Sequence, residues 1–510
     1  MKQLYSFLFF LGFFLSSTAQ KNQLSYQFTF SSKRSNAASF NKGAYVMADK
    51  SSSKMAFVLQ DIDKAAYVLV DSNFKKLVDF SLPAKETIFN YDASNLNQLN
   101  YVGATYNGNN YNFVYKNSTT RMFSSKEYYT YKIETVDFVA KRVAQKDFVN
   151  IPKKEKLVSG FSEYNRFFLI TAVDESNELK LYVLSGTGAV TEKAIAFPQL
   201  ETDGKKSKQL SEYLTDIVTV NAGEMPTLDD ATKKAKLYTS NNALTFVLND
   251  NKITQLVTIN INDYSVTSAS IVNQNPESSE SKDKVVANTY KTENKLFLMQ
   301  LVPDKIVISI YELNGKFLNK IEITEQNINQ LMNRAGEYEE RRGNKIKNEP
   351  FDDFAQLVKA LKKGTQGITV ETTAIGMYLV TFGTYDDINV ETAGAGSYHS
   401  SIQFGQASVG SVQATSNSYY YSYYTPGISK FVAKPNYYKS TTASFLLDAA
   451  TLKPVKSKIP ESGSRQIRDY IENAGSSSMR SQFLFQAMQY YGYYDKDTEA
   501  YIFSQIPVKK

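Results

Sequence analysis

The chain has 510 residues, with 36 Tyr and 32 Phe, no cysteine, no tryptophan and one histidine, His399. Without cysteine there are no disulfides, no thiolate catalysis and no lipid attachment through an N-terminal Cys; with one histidine, the usual zinc sites and Ser-His-Asp machinery are excluded unless His399 serves alone. The 58 basic and 51 acidic side chains leave a formal charge of +7, spread without the concentrated basic stripe of a nucleic-acid binder.

The chain opens MKQLYSFLFFLGFFLSSTAQ. Lys2 precedes an apolar run from Leu4 to Leu15, and Ser17-Thr18-Ala19 follows as a small-x-small cleavage pattern. Residues 1–19 therefore read as a signal peptide cleaved before Gln20. The run is short for a bilayer span, and no other stretch is long and apolar enough. The mature chain is expected to be exported, to the periplasm or the extracellular space, without a transmembrane segment. Residues 20–510 read as a single large β domain.

Several segments then share one pattern: an apolar strand, a polar turn, a second β-branched or aromatic strand, a tight turn and a third strand. They are Lys54–Pro83, Gln98–Phe148, Arg166–Pro198, Ala243–Val272 and Lys295–Ile323. In the last, LFLMQLV and KIVISIYEL flank a Pro-Asp turn, and Asn314-Gly315 predicts a two-residue type I′ hairpin before KFLNKIEI. A sixth copy is split between Gly376–Asp387 and Thr442–Pro460, and a seventh lies at Gln482–Ile506. A lone three-strand meander leaves both faces bare, and stacking such units in a closed ring covers them. Strands apolar on both sides, such as FFLIT and IVISIY, suit that sandwiching. The pattern resembles a secreted bacterial β-propeller of about seven blades. It carries no Trp-Asp dipeptide, kelch double glycine or Asp-box. Tandem β-sandwiches are the alternative. LSYQFTF, residues 24–30, is placed to pair with the last unit and close a ring.

Two insertions break the rhythm. Residues 324–367 read as a helical hairpin. Its first helix has Ile328, Leu331, Met332 and Ala335 on one stripe. Its second starts at Pro350, with Asp352 and Asp353 at the positive end and a stripe of Phe351, Phe354, Leu357, Val358 and Leu361. Residues 391–440 are rich in Gly, Ser and Tyr and contain SNSYYYSYYTPG. Extended, Tyr419, Tyr421 and Tyr423 point one way and Tyr420 and Tyr424 the other. One row can lie on the domain while the other offers large, stiff contact area to a partner.

Chemistry is sparse. Asp229-Asp230, Asp352-Asp353 and Asp386-Asp387 are adjacent in sequence, which does not place two carboxyl groups across a cleft. Asp495–Glu499 starts like a calcium loop, but Ala500 stands where glycine is needed and Ile506 where glutamate is. No cofactor, metal or catalytic residue is expected. The reading is a non-catalytic binding or scaffold protein of the envelope, with Tyr419, Tyr420, Tyr421, Tyr423 and Tyr424 as candidates for contact with a protein or glycan. The alternative is a glycan-binding or glycan-active protein with carboxylates in the propeller channel.

Overall fold

In the computed structural model, strands follow the repeats and extend them. Residues 22–30, 43–49, 53–61, 63–89, 98–119, 128–163, 165–200, 209–214, 216–221, 225–240, 242–250, 252–273, 286–302, 304–332, 335–342, 345–373, 375–387, 437–474 and 478–508 are described. The chain starts with β1 (Asn22–Gln27). Blade 1 is β2 (Gly43–Asp49), β3 (Lys54–Gln60), β4 (Lys64–Val70) and β5 (Lys76–Pro83). Blade 2 is β6 (Gln98–Asn107), β7 (Asn110–Thr119), β8 (Tyr128–Asp137) and β9 (Arg142–Asn150). Blade 3 is β10 (Glu155–Glu163), β11 (Arg166–Val173), β12 (Glu178–Ser185) and β13 (Val190–Ala196). Helix α1 (Leu210–Tyr213) follows. Blade 4 opens with β14 (Val218–Asn221), crosses helix α2 (Leu228–Thr232) and continues as β15 (Ala235–Ser240), β16 (Ala243–Asn249), β17 (Ile253–Asn260) and β18 (Val266–Val272).

Blade 5 is β19 (Val286–Lys291), β20 (Lys295–Val302), β21 (Lys305–Glu312) and β22 (Phe317–Ile323). Helix α3 (Ile328–Leu331), the hairpin β23 (Glu337–Arg342) and β24 (Lys345–Pro350), and helix α4 (Phe354–Leu361) come next. Blade 6 is completed by β25 (Gln366–Thr372), β26 (Met377–Asp387), β27 (Tyr437–Asp448) and β28 (Pro454–Val455). Helix α5 (Gly463–Asn473) leads to blade 7: β29 (Ser478–Phe485), β30 (Met488–Asp495) and β31 (Ala500–Gln505).

Five of the seven repeats thus carry a strand before those that their sequence displayed, Gln98–Phe148 spans all four strands of blade 2, blade 7 takes its fourth from β1, and the seven sheets make an all-β propeller. In blade 5, β20 and β21 are buried on both sides, while β22 is buried only at Ile321 and Ile323. Inner strands are covered by neighbouring blades, and the outer strand keeps one wet face. The Asn314-Gly315 hairpin forms, but not as the type I′ turn expected. Only Gly315 has a positive φ, of 90°, Asn314 Oδ1 accepts the Lys316 N–H, and the register shifts between Ile310 and Tyr311. This is the three-residue loop ending in a left-handed glycine.

An edge-to-face aromatic pair crosses six of the junctions. The pairs are Tyr45–Tyr115 between blades 1 and 2, at 5.5 Å, and Phe148–Phe167 between 2 and 3, at 5.7 Å. Phe197–Phe246 joins 3 and 4 at 5.4 Å, Tyr238–Tyr290 joins 4 and 5 at 5.7 Å, and Phe297–Tyr378 joins 5 and 6 at 5.6 Å. Phe57–Phe503 joins 1 and 7 at 5.2 Å. Such pairs add about 0.5–1.5 kcal/mol each beyond their burial. The ring closes as LSYQFTF implied: β1 pairs antiparallel with β31, Leu24 opposite Phe503 and Tyr26 opposite Tyr501. Tyr26 then meets Phe57 of blade 1 edge-on at 5.7 Å and donates to Asp79 at 3.2 Å. Burial, reinforced by Asp79, pushes its hydroxyl up to about 12.

Only half of the helical insertion is helical at length. Helix α4 forms with Phe354, Leu357, Val358 and Leu361 buried and Asp353 as its N-cap, accepting from Gln356 N. Pro350 ends β24 instead of starting the helix. The expected first helix is a single turn, α3; Ile328, Met332 and Ala335 are buried, yet Glu337–Arg342 become a strand. The reason is tertiary: that strand pairs with β24 on one side and β27 on the other. Tandem sandwiches do not form.

The connection from blade 3 to blade 4 runs along the inner edges of blades 3 to 6. Strand β14 pairs parallel with β15, so it lies on the inner side of blade 4's innermost regular strand. Its Thr219 Oγ1 is 2.6 Å from Ser159 Oγ of blade 3. Helix α2 reaches across to blade 6 and rests on β25 and β26. Gly367 permits this approach: a Cβ there would stand 2.8 Å from the Ala231 carbonyl carbon and the Thr232 nitrogen. Gly367→Ala is expected to lower the melting temperature by several degrees, because backbone cannot yield as a side-chain tip can. Thermal unfolding by circular dichroism checks this; an unchanged midpoint would show that α2 does not bear on β25.

Candidate functional site

Blade 6 differs from the others by an arm. Strands β26 and β27 have 11 and 12 residues, against 8 and 8 for the equivalent β20 and β21. Their extra length pairs Thr384 with Thr441, Tyr385 with Ser440 and Asp386 with Lys439. Tyr385 stacks on Tyr438 at 5.3 Å and 17°. Strand β23 adds to the far side of β27, from Glu337 opposite Thr442 to Arg342 opposite Tyr437. Strand β24 forms the outer edge and is exposed along its length. Lys345, Lys347 and Pro350 blunt that edge against further strand pairing, and Lys347 forms an ion pair with Glu349 at 2.7 Å.

The arm's acids alternate in role because a strand alternates its faces. Glu340 accepts from Tyr338 Oη at 2.8 Å and from Arg342 Nε at 2.6 Å. Those hydrogen bonds, Tyr338 first, hold its carboxyl below the usual carboxylate range. Glu337 and Glu339 face α5. Arg465 meets Glu337 at 2.8 Å, and Arg468 stands 3.7 Å from Glu339, which also accepts from Tyr438 Oη. The same helix buries Ile467 and Ile471 beside Tyr491 and Ile506 of blade 7. Its first N–H, Gly463, donates to Glu371 of β25 at 2.8 Å. Helix α5 is therefore the clasp of the seventh junction, charged toward the arm and apolar toward blade 7.

The five candidate tyrosines, Tyr419, Tyr420, Tyr421, Tyr423 and Tyr424, and His399 lie outside the described residues. The insertion leaves the sheet after Asp387 and returns at Tyr437, so residues 437–440 belong to β27 rather than to the insertion. The paired acids prove local. Asp386 accepts from Thr365 N and Oγ1 at 3.2 Å each, Asp230 lies in the first turn of α2, and Asp353 caps α4. Asp495 accepts from Asp497 N and Thr498 Oγ1 within the β30–β31 turn. Glu155, on the innermost strand of blade 3, accepts from Thr171 and Tyr182 and pairs with Lys180, all within that blade. Among the described residues no group of three or more His, Cys, Asp or Glu could hold a metal ion, and no helix is long and apolar enough to cross a membrane.

Two buried ionisable groups escaped sequence reasoning. Lys236 of β15 is fully buried and donates to Lys233 O and to Asn288 Oδ1, the latter at 2.7 Å. Burial pulls its ammonium down to about 7, opposed by Asp230. Glu134 of β8 is also fully buried. Its two oxygens accept from Ile88 N at 2.8 Å and Tyr67 Oη at 3.0 Å. Burial raises it to about 7, and both hydrogen bonds oppose the rise. Neither the repeat of KLYTS nor that of KIETV signals burial, because alternating strands place such residues on wet faces as readily.

No protein-family model matches this chain, and neither does any curated protein sequence. Solved structures with similarity include the β-propeller domain of the Trilobed protease from Pyrococcus furiosus, at 8% identity and TM-score 0.27, covering 78% of this chain and 78% of that chain. The WD40 domain of SCAP from fission yeast aligns at 10% identity and TM-score 0.28, over 68% of this chain and 71% of that one. In a study of two prolyl endopeptidases the match has 12% identity and TM-score 0.27, covering 66% of this chain but 45% of that one, so this chain spans about half its length. At these TM-scores the matches carry no argument, and the ring rests on its own strand pairing and junctions.

Proposed function

We propose that this protein is an exported, non-catalytic binding or scaffold module of the bacterial envelope, whose partner contact is made through the insertion carried by blade 6. The observation that supports this reading is the arm. Strands β26 and β27 outrun their blade, β23 and β24 widen them, and two arginines of α5 brace them. A stiff pedestal of this kind holds a recognition segment away from the ring, where binding segments on a rigid scaffold commonly sit. The tyrosine-rich sequence between its strands suits a protein surface, or a glycan by stacking.

Replacing residues 388–436 with a short Gly-Ser linker tests the reading. The melting temperature is expected to stay within a few degrees, since long surface insertions bear weakly on stability. Saturable binding to an envelope component, competed by a peptide of residues 416–427, is expected to disappear. Binding that survives the replacement would remove the arm from the contact.

A further inference from the structure

Two side chains hold the C-terminal end of helix α2. Asn288 of β19 accepts from Lys236 Nζ and donates through its own amide to Thr232 O at 2.9 Å and Gln366 O at 2.8 Å. Lys236 donates to Lys233 O. Thr232 and Lys233 end α2, where the last carbonyls of a helix lack partners within it. One lysine and one asparagine therefore hold the end of α2, and through Gln366 they join blades 4, 5 and 6.

We propose that residues 225–234 are a strap over the inner edges of the ring, released and refastened as a unit by the Lys236–Asn288 latch. Two further observations carry it. The strap packs on glycine at Gly367 rather than interlocking with side chains there. Beside the latch lies a cavity of about 10 Å³ lined by Val220, Met225, Thr227, Asp230, Lys236 and Tyr290, room for one water. An ammonium has three N–H donors and finds two protein acceptors here. Its third N–H gains full hydration only when the strap lifts.

The latch is consequently sensitive to protons. The charged groups acting on Lys236 are Asp230 from α2 and Lys234 on its own chain segment. Strand β19 faces it with Asn288 and Tyr290, β14 with Val220, and β25 is linked through the Gln366 carbonyl. Closing the strap favours the neutral amine and opening favours the ammonium. The open state binds the extra proton between about pH 7 and pH 10.5, so opening is favoured as pH falls through that window and levels off below it.

Hydrogen-exchange mass spectrometry on the whole chain, corrected for intrinsic exchange, tests this. The reporters are the Ala231 and Lys233 amides, bonded to Thr227 O and Asp230 O within the five-residue helix α2, which is too short to keep those bonds once it lifts off the ring. In wild type, their opening constant should rise about tenfold per pH unit from about pH 9.5 down to pH 7.5. Asn288→Ala should increase opening at every pH while keeping that slope. Lys236→Met should flatten it. Amides of β16 and β17 should not follow. A pH-independent strap in wild type, a slope that persists in Lys236→Met, or unchanged protection in Asn288→Ala would each overturn the latch. The wild-type profile and Asn288→Ala decide the matter even if Lys236→Met does not fold.

Discussion

A chain lacking residues 22–30 is expected to lose the cooperative fold, or to melt more than ten degrees lower than the intact protein. That segment supplies β1, the outer strand of blade 7, and with it Tyr26 and the buried Phe28. Removing a large buried aromatic such as Phe28 costs about 3–5 kcal/mol, a large share of the whole stability of a typical domain, about 5–15 kcal/mol, and the half-buried Tyr26 adds to it. The ladder to β31 and the Tyr26–Asp79 bond to blade 1 go as well. A synthetic peptide of residues 20–30 should restore part of the loss when added in trans, as any ligand that binds only the folded ring does. Calorimetry with and without the peptide distinguishes this from general weakening. A truncated chain that melts with the intact one would mean that β1 is dispensable and the ring is closed by other contacts.

Glu134→Gln is expected to stabilise the protein above pH 7 and to remove part of its pH dependence. Glu134 titrates near 4.5 when unfolded and about 7 when folded. Between those values the folded state holds the extra proton, so stability falls as pH rises, by about 3 kcal/mol in total for a shift of this size. Glutamine keeps an oxygen for the Ile88 N–H and carries no charge to desolvate. The groups facing Glu134 are Tyr67 of β4 and Tyr115 of β7, with no cation acting on it among the described residues; Tyr45 and Tyr101 pack on Tyr115. Lys236 supplies the opposite limb. Its lysine is deprotonated more easily when folded, so stability grows as pH rises from about 7 toward 10.5. Together they give the wild type a trough of stability near neutral pH. Guanidinium midpoints across the range should show the acid-side limb flattened in Glu134→Gln alone. Parallel curves for the two proteins would show that Glu134 is charged at no cost.

The repeats were legible because both strand and turn chemistry are local. Runs such as RFFLITAV and KIVISIYE announce strands buried on two faces, and the turns between them, such as Pro303-Asp304 and Leu313–Gly315, separate them cleanly. The strand that precedes five of the repeats was harder to see. GAYVMAD and VANTYK are short and mixed in polarity, and only their position on the inner side of a blade buries them. The Glu337–Arg342 segment was misread as helix for a related reason. A highly charged stretch has no strong apolar period, so pairing with β27, about a hundred residues further on, decides its state.

The sequence by itself indicated about seven sheets, the three-strand segments at the heart of most of them and the strand that closes the ring. Each of these follows from apolar runs too exposed to stand alone and from turns that direct the chain back. Only the tertiary structure decided that β14 and α2 line the inner edges of blades 3 to 6, that α5 clasps the last junction, and that Lys236 and Glu134 are cut off from water. Burial of a charge is set by whatever packs on it, and here the packing residues come from blades far apart in the chain.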